Sequence, residues 1–334
     1  MRKKILSIVK GGRTISLVAL FFWVGSVSAA VCEPSVDELP KKLKEGYFRL
    51  ANPIAEKIIH LGSFHIEGQY SGTLIQSIAF DKIRCKWVAA ISTARKPELV
   101  AMMTFPAVAP YVSRNFSVPS SRFSHPQDLS FSISGNKSEF WLPDNKRKGV
   151  NRFELDEEGS VVNLKNFSFS RRPINGLFTA VSADGKYIVV MGAEGQKKKR
   201  QRVSVYKVRD LVRLEAGELK PMYSWLLDDI QQDRKQWRQG LAVIGSTVFV
   251  LSGSHSRSQD KLIVSYKLEG GTLAINKLPD ASSGMLMKGK ITTYEPEGLE
   301  AIRYDGRPAL AFGMAGGTKG ARSYDVWVLP LDKN

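Results

Sequence analysis

The stretch that decides the fold is "PEGLEAIRYDGRPALAFG", residues 296–313. It opens on a polar residue and a glycine, alternates apolar and polar residues into an Asp-Gly turn, and returns as a second apolar run. Two β-branched or apolar runs joined by Asp-Gly read as a β-hairpin. Taken alone, Glu297 invites a catalytic or metal-binding reading. The rest of the chain argues for a different one, because the stretch recurs.

Four relatives of this opening lie upstream: "IQSIAFD" from Ile75, "PQDLSFS" from Pro126, "NGLFTAVSADGKYIVVMG" from Asn175 and "RQGLAVIGSTVFVLSG" from Arg238. A second strand follows each, as "KWVAAIS", "SEFWLPD", "YIVVMG", "TVFVLSG" and "PALAFG". Third strands recur as "GVNRFELDEEG", "RVSVYKVRDL", "KLIVSYKLEGG" and "SYDVWVLPLD", and "ELVAMMTFP" takes that place in the first copy. "SVVNLKNFSF" and "TLAINKL" supply fourth strands. Unit starts near residues 76, 127, 176, 239 and 297 give a period of about fifty to sixty residues, a range typical of propeller blades. The expected fold is all-β: a five-bladed β-propeller with short helical insertions. The last copy ends near the C-terminus, so ring closure must borrow a strand from the N-terminal side. "GSFHIEGQYSG" (residues 62–72) is the expected donor. Helical pieces are expected in "SWLLDDIQQDRKQWRQG" (residues 224–240) and in "VDELPKKLKEGYFRL" (residues 36–50), the latter limited by Pro40.

The 334 residues are 43% hydrophobic and 24% charged, a globular balance with ample material for a core. Residues 1–29 read as a secretory signal peptide: a basic start, the apolar "ISLVALFFWVGSV" and small residues before a cut after Ala29 or Ala30. The apolar run is short for a bilayer span of about 20 residues. The expected organisation is therefore a signal peptide over 1–29, an N-terminal segment over 30–60 and one propeller over 61–334. It predicts an exported protein, periplasmic or secreted, with no transmembrane helix after cleavage. Cys32 and Cys85 either form one disulfide, as an oxidising compartment permits, or stay apart with Cys85 buried. The formal charge of +17 falls to +12 without Arg2, Lys3, Lys4, Lys10 and Arg13. Such a surface favours anionic partners. Export rules out intracellular nucleic acid and leaves anionic envelope polymers and other surface ligands.

The segment 295–329 resembles the last blade of the β-propeller family that includes teichoic acid biosynthesis protein C, helveticin J-like bacteriocins and phage receptor-binding propellers. The residues that carry the resemblance are Glu297-Gly298-Leu299, Phe312-Gly313, the glycines 316, 317 and 320, and Arg322, with "HPQDLSFS" and "RQGLAV" as similar strand starts. The resemblance implies the fold and a role in wall-polymer association or host-surface recognition. It carries no catalytic residues over to this chain.

Gln76, Gln127, Gln239 and Glu297 stand at equivalent strand starts and are expected near the central channel. They suit either a ring of oxygen ligands or hydrogen bonds to neighbouring blades. One carboxylate, two with Asp128, is little charge for calcium, so no cofactor is expected. His60, His65, His125 and His255 have no metal spacing with one another, and no nucleophile elbow or phosphate loop is present. "GQKKKRQR", with Lys197, Lys198, Lys199 and Arg200, and "DNKRKG" (residues 144–149) are basic loop tips, suited to a phosphate- or sulfate-bearing glycan. Arg322 is a further polar candidate. The expected function is non-catalytic binding of a cell-envelope or surface ligand, an anionic glycan polymer first. A metal-dependent lactonase- or hydrolase-like propeller and a bacteriocin-like toxin or protein-interaction scaffold are the alternatives.

Overall fold

The computed structural model describes residues 47–51, 55–61, 74–92, 100–106, 115–116, 126–145, 148–169, 174–182, 184–194, 200–213, 219–227, 237–256, 259–278, 293–318 and 321–333. Residues 1–29, expected to be a signal peptide, "GSFHIEGQYSG", His65, His125, Cys32 and Lys197 to Lys199 lie outside them.

Two short strands come first, β1 (Phe48–Leu50) and β2 (Glu56–Leu61). Blade I holds β3 (Leu74–Asp81), β4 (Lys86–Ser92), β5 (Val100–Pro106) and β6 (Asn115–Phe116). Blade II holds β7 (Ser130–Ser134), β8 (Lys137–Asp144), β9 (Gly149–Leu155) and β10 (Val161–Ser168). In blade III are β11 (Ile174–Val181), β12 (Tyr187–Glu194), β13 (Arg200–Lys207) and β14 (Tyr223–Leu226). Blade IV is β15 (Arg238–Ile244), β16 (Thr247–Ser252), β17 (Leu262–Lys267) and β18 (Thr272–Lys277). Blade V is β19 (Thr293–Tyr304), β20 (Arg307–Thr318) and β21 (Ala321–Lys333), to which β1 and β2 add antiparallel. Every pairing is antiparallel, and the five-bladed propeller expected from the repeat is the fold.

Alternation within a strand sorts side chains between two neighbouring blades, because successive residues point to opposite faces. In β16, Val248 and Val250 pack with blade III while Phe249 and Leu251 pack with blade V. In β12, Val189 and Met191 face blade IV, and Ile188 and Val190 face blade II. Both faces of these strands are buried, which is why they read as continuous apolar runs. The outer strand β18 meets solvent and reverts to alternation, with Ile275 exposed. Five apolar clusters result, one for each blade boundary around the ring.

Closure corrects one expectation. The donor strands are β1 and β2, upstream of "GSFHIEGQYSG" and mostly inside the stretch 30–60 set apart as an N-terminal segment. Phe48 is fully buried between blades IV and V, and its N–H donates to Thr247 Oγ1 at 2.8 Å. Ile59 and Leu61 pack between blades V and I. His60 Nδ1 lies 2.6 Å from Asp325 Oδ1, joining β2 to β21 through side chains as well. The helical readings change at their described ends, while residues 36–46 and 228–236 lie outside the described residues. The described helix is α1 (Val208–Arg213), between β13 and β14. Trp225 and Leu226 sit in β14, not in a helix. Tertiary packing overrides helix propensity here: the Trp225 ring lies 4.8 Å from that of Tyr266, and its Nε1–H donates to the Leu268 carbonyl at 3.3 Å. Residues 47–50 of the other helical reading run into β1. Cys85, in the β3–β4 turn, is disulfide-bonded.

If Phe48 locks the ring, Phe48→Ala should destabilise the protein by about 3–5 kcal/mol, the cost of emptying a packed aromatic site. Urea denaturation followed by tryptophan fluorescence checks this, and a loss under about 1 kcal/mol would contradict a closing role for β1.

Candidate functional site

The inner strands β3, β7, β11, β15 and β19 surround the channel and all begin at one rim, called here the mouth rim. Each start repeats a three-residue pattern: Gln76-Ser77-Ile78, Gln127-Asp128-Leu129, Asn175-Gly176-Leu177, Gln239-Gly240-Leu241 and Glu297-Gly298-Leu299. Register shifts mark the pattern in blades I, III, IV and V, where an extra residue turns the chain inward. Gly298 shows why the middle residue is small. Its φ is +76°, and a Cβ there would stand 2.8 Å from the Ser77 Cα of blade I.

Most of the polar side chains at these starts bond to other blades. Ser77 Oγ donates to the Pro126 carbonyl at 2.6 Å, linking blades I and II. Asp128 reaches past blade III to blade IV, where its Oδ1 accepts the Leu241 N–H at 3.0 Å. Gln127 Nε2 donates to Gln239 Oε1 at 3.5 Å along the same route. Gln239 Nε2 donates in turn to Glu295 Oε1 of blade V at 2.9 Å. Thus the structure brings Gln127, Asp128 and Gln239 together, while Gln76 is buried in blade I. Glu297 is 2% exposed, and its carboxylate bears on the buried Tyr324 phenol, whose acidity is weakened by burial first and by Glu297 second.

Tyr324 explains the Phe312-Gly313 pair. Its hydroxyl donates to the Glu297 carbonyl at 2.7 Å and crosses directly over Gly313. A Cβ on residue 313 would fall 1.6 Å from that hydroxyl oxygen. Gly313→Ala should therefore expel the ring and cost about 2 kcal/mol or more, between overpacking and a lost buried hydrogen bond. Thermal denaturation reads this, and an unchanged midpoint would refute the contact.

Burial dominates the electrostatics inside the channel. The Asp128 and Glu300 carboxyls are both pushed well above the usual carboxylate range by desolvation. Lys82 opposes the shift of Glu300, and the Asp128 charge adds to it. Desolvation lowers the Lys82 ammonium, and Glu300 partly restores it. Asp128 Oδ2 is buried with no hydrogen-bond partner among the described residues. A carboxyl raised on folding binds more protons in the folded state, so stability falls as pH rises above its unfolded value of about 3.9. Asp128→Asn keeps an acceptor for Leu241, and Asn tolerates the φ of +67° found there. The variant should match or exceed the parent in stability at pH 7 and lose part of the decline between pH 4 and 7. Denaturation across that range checks it; a large loss at neutral pH would contradict the sign.

The same rim holds the described ends of the two hairpins whose connections carry the basic residues. Glu194 and Arg200 are register partners at the end of the β12–β13 hairpin, and Asp144 and Gly149 at the end of β8–β9. Both hairpins turn at the mouth rim, on adjacent blades. Arg200 and Lys148 are exposed. Arg322 pairs with Gly317 beside the blade V turn on that rim. Blade IV adds Trp237, 51% exposed, against His255, with ring centroids 5.7 Å apart. On the opposite rim a cavity of about 380 Å³ is lined by Gly185, Lys186, Tyr187, Lys207 and Arg209. Sequence reading passed over Trp237, Glu295, Glu300, Lys82 and this cavity. Only Trp237 had a signal, as an aromatic immediately before a repeat start. Among the described residues, no group of three His, Cys, Asp or Glu side chains is placed to hold a metal ion, and no helix is long and apolar enough to cross a membrane.

Residues 152–328, just over half of the chain, match the model of the phage 5-bladed β-propeller receptor-binding platform domain. The chain belongs to this family. Among solved structures, it is similar to the tail fiber of Staphylococcus aureus phage P68, with 16% identity and a TM-score of 0.62 over 83% of this chain and 52% of that one. An exo-β-1,3-galactanase from Phanerochaete chrysosporium with β-1,3-galactotriose shares the fold at 9% identity and a TM-score of 0.50, over 82% of this chain and 64% of that one. This chain thus spans about half the length of the tail fiber and under two thirds of the galactanase. No curated protein matches at the sequence level. Family and fold agree with the resemblance read from the last blade, and the family is one of surface-ligand binding.

Proposed function

We propose that this receptor-binding propeller is an exported, non-catalytic protein whose mouth rim holds an anionic glycan polymer of the cell envelope. The observation that supports this most is that the described ends of both hairpins whose connections carry the basic residues, on blades II and III, lie at the rim where the inner strands begin. Charged tips at a rim reach phosphate or sulfate groups without the cost of burying a charge. The polar residues at the strand starts are largely engaged between blades, so they hold the rim in shape. Pairing of Cys32 with Cys85 and cleavage of residues 1–29 belong to the same reading, since disulfides persist outside the reducing cytosol.

A second reading rests on the cavity beneath blade III. Lys186, Lys207 and Arg209 would receive an anion on the opposite rim, although Lys186 Nζ already meets Asp184 at 3.2 Å. The experiment separates the two. Binding of the full mature chain to immobilised poly(glycerol phosphate) should fall by about tenfold, or about 1.4 kcal/mol, when residues 197–200 are all replaced by Glu. It should stay within about twofold for Lys207→Glu combined with Arg209→Glu. The reverse pattern would move the site to the opposite rim. No binding by the parent would overturn the anionic ligand, and depolymerisation of the polymer would overturn the non-catalytic reading.

A further inference from the structure

We infer that Trp237 and His255 form a stacking platform for a neutral pyranose ring at the mouth rim, with Glu295 and Gln127 as hydroxyl partners. The inference deepens the reading above: it rests on the same rim being the binding face and names the sugar component of the ligand.

Trp237 is the most exposed of the large hydrophobic side chains described, in a fold that buries tryptophans such as Trp87 and Trp141 completely. Exposure of an indole opposes the hydrophobic effect, so it calls for a use. The residue is also held firmly. Its carbonyl accepts the Gly253 N–H at 2.8 Å, tying it to the β16–β17 loop that carries His255. That loop is braced from inside. Lys261, 7% exposed, donates from Nζ to the Ser256 carbonyl at 2.6 Å and to the Gln259 carbonyl at 3.0 Å. Ser254 Oγ donates to Gln259 Oε1 and accepts the Ser256 N–H at 3.1 Å. The His255 ring therefore meets the indole at a tilt of 58° on a fixed backbone. Preorganisation of this kind reduces the ordering cost of binding.

Polar groups follow the platform along the chain, at the start of β15 and its neighbours. Gly253 abuts Pro296, which sets the braced loop beside Glu295. Two residues beyond Trp237, the buried Gln239 amide orients both the Glu295 carboxylate and the Gln127 amide. Each of those two keeps solvent exposure and spare hydrogen-bonding capacity. A pyranose ring has a C–H face that packs flat on an indole and edge hydroxyls that both donate and accept. Planar amide and carboxylate groups beside an aromatic ring match it, as in small-molecule sites that combine an apolar wall with a few placed polar groups.

The test uses the full mature chain and a panel of uncharged oligosaccharides of glucose, galactose and N-acetylglucosamine, with saturation-transfer NMR and calorimetry as readouts. One or more should bind, Trp237→Ala should weaken that binding by about tenfold, and Trp237→Phe should keep it within about threefold. The thermal midpoint of Trp237→Ala should be unchanged because the side chain is exposed, which excludes a folding failure. Replacing residues 197–200 by Glu should leave uncharged-sugar binding intact while lowering poly(glycerol phosphate) binding. Equal binding by parent and Trp237→Ala, or no binding of any sugar in the panel, would overturn the platform. If the platform variants act and the charge-reversed tip does not, the anionic-polymer reading falls and the platform stands.

Discussion

Everything in this molecule depends on the last strand, β21, finding partners on its outer edge. A ring of blades has no free faces only once the first and final segments of the chain meet. Here β1 pairs with residues 331–333 and β2 with residues 324–328, so one 13-residue strand is covered along most of its length by the N-terminal side. An uncovered edge of that length would be a template for association with other chains. Phe48 and Ile59 then fill the boundaries of blade V with blades IV and I. The pairings of β1 and β2 with β21 join residues more than two hundred positions apart, so loop-closure entropy opposes them until the other blades have assembled.

Closure dictates the character of the channel. Five inner strands converge on a narrow axis, and each enters it through a bulge or a left-handed residue. Their polar side chains are drawn into bonds that skip a blade, as Asp128 to Leu241 does. Such links rigidify the rim at an electrostatic cost visible in the raised Asp128 and Glu300 carboxyls. The rim outside the axis is freed from that duty. Its hairpin tips and the Trp237 platform belong to connections, whose lengths and charges vary without disturbing the blades.

Much of the architecture was legible because it repeats. The Gln-Ser-Ile, Gln-Asp-Leu and Glu-Gly-Leu starts, the Asp-Gly hairpin and the continuous apolar second strands are all local signals. Closure was legible as a requirement and not as a place. The three-residue β1 is too short for periodicity to register, and it becomes a strand only because β21 offers an edge. Trp225 misled for a related reason: its surroundings favour helix, but the Tyr266 ring and the Leu268 carbonyl lie in the next blade. The candidate site was half legible. Gln127, Asp128 and Gln239 stand at strand starts that the repeat marks, whereas their bonding across blades is a property of assembly. The Trp237–His255 pair joins two connections of blade IV that no spacing rule links.

The central claim is that the mouth rim, not its opposite, is the binding face. Hydrogen–deuterium exchange of residues 30–334 with and without poly(glycerol phosphate) tests it directly. Protection is predicted in the mouth-rim connections at residues 145–149, 195–200 and 253–260, with residues 182–186 and 207–213 unchanged. Protection confined to those two opposite-rim segments would contradict the account.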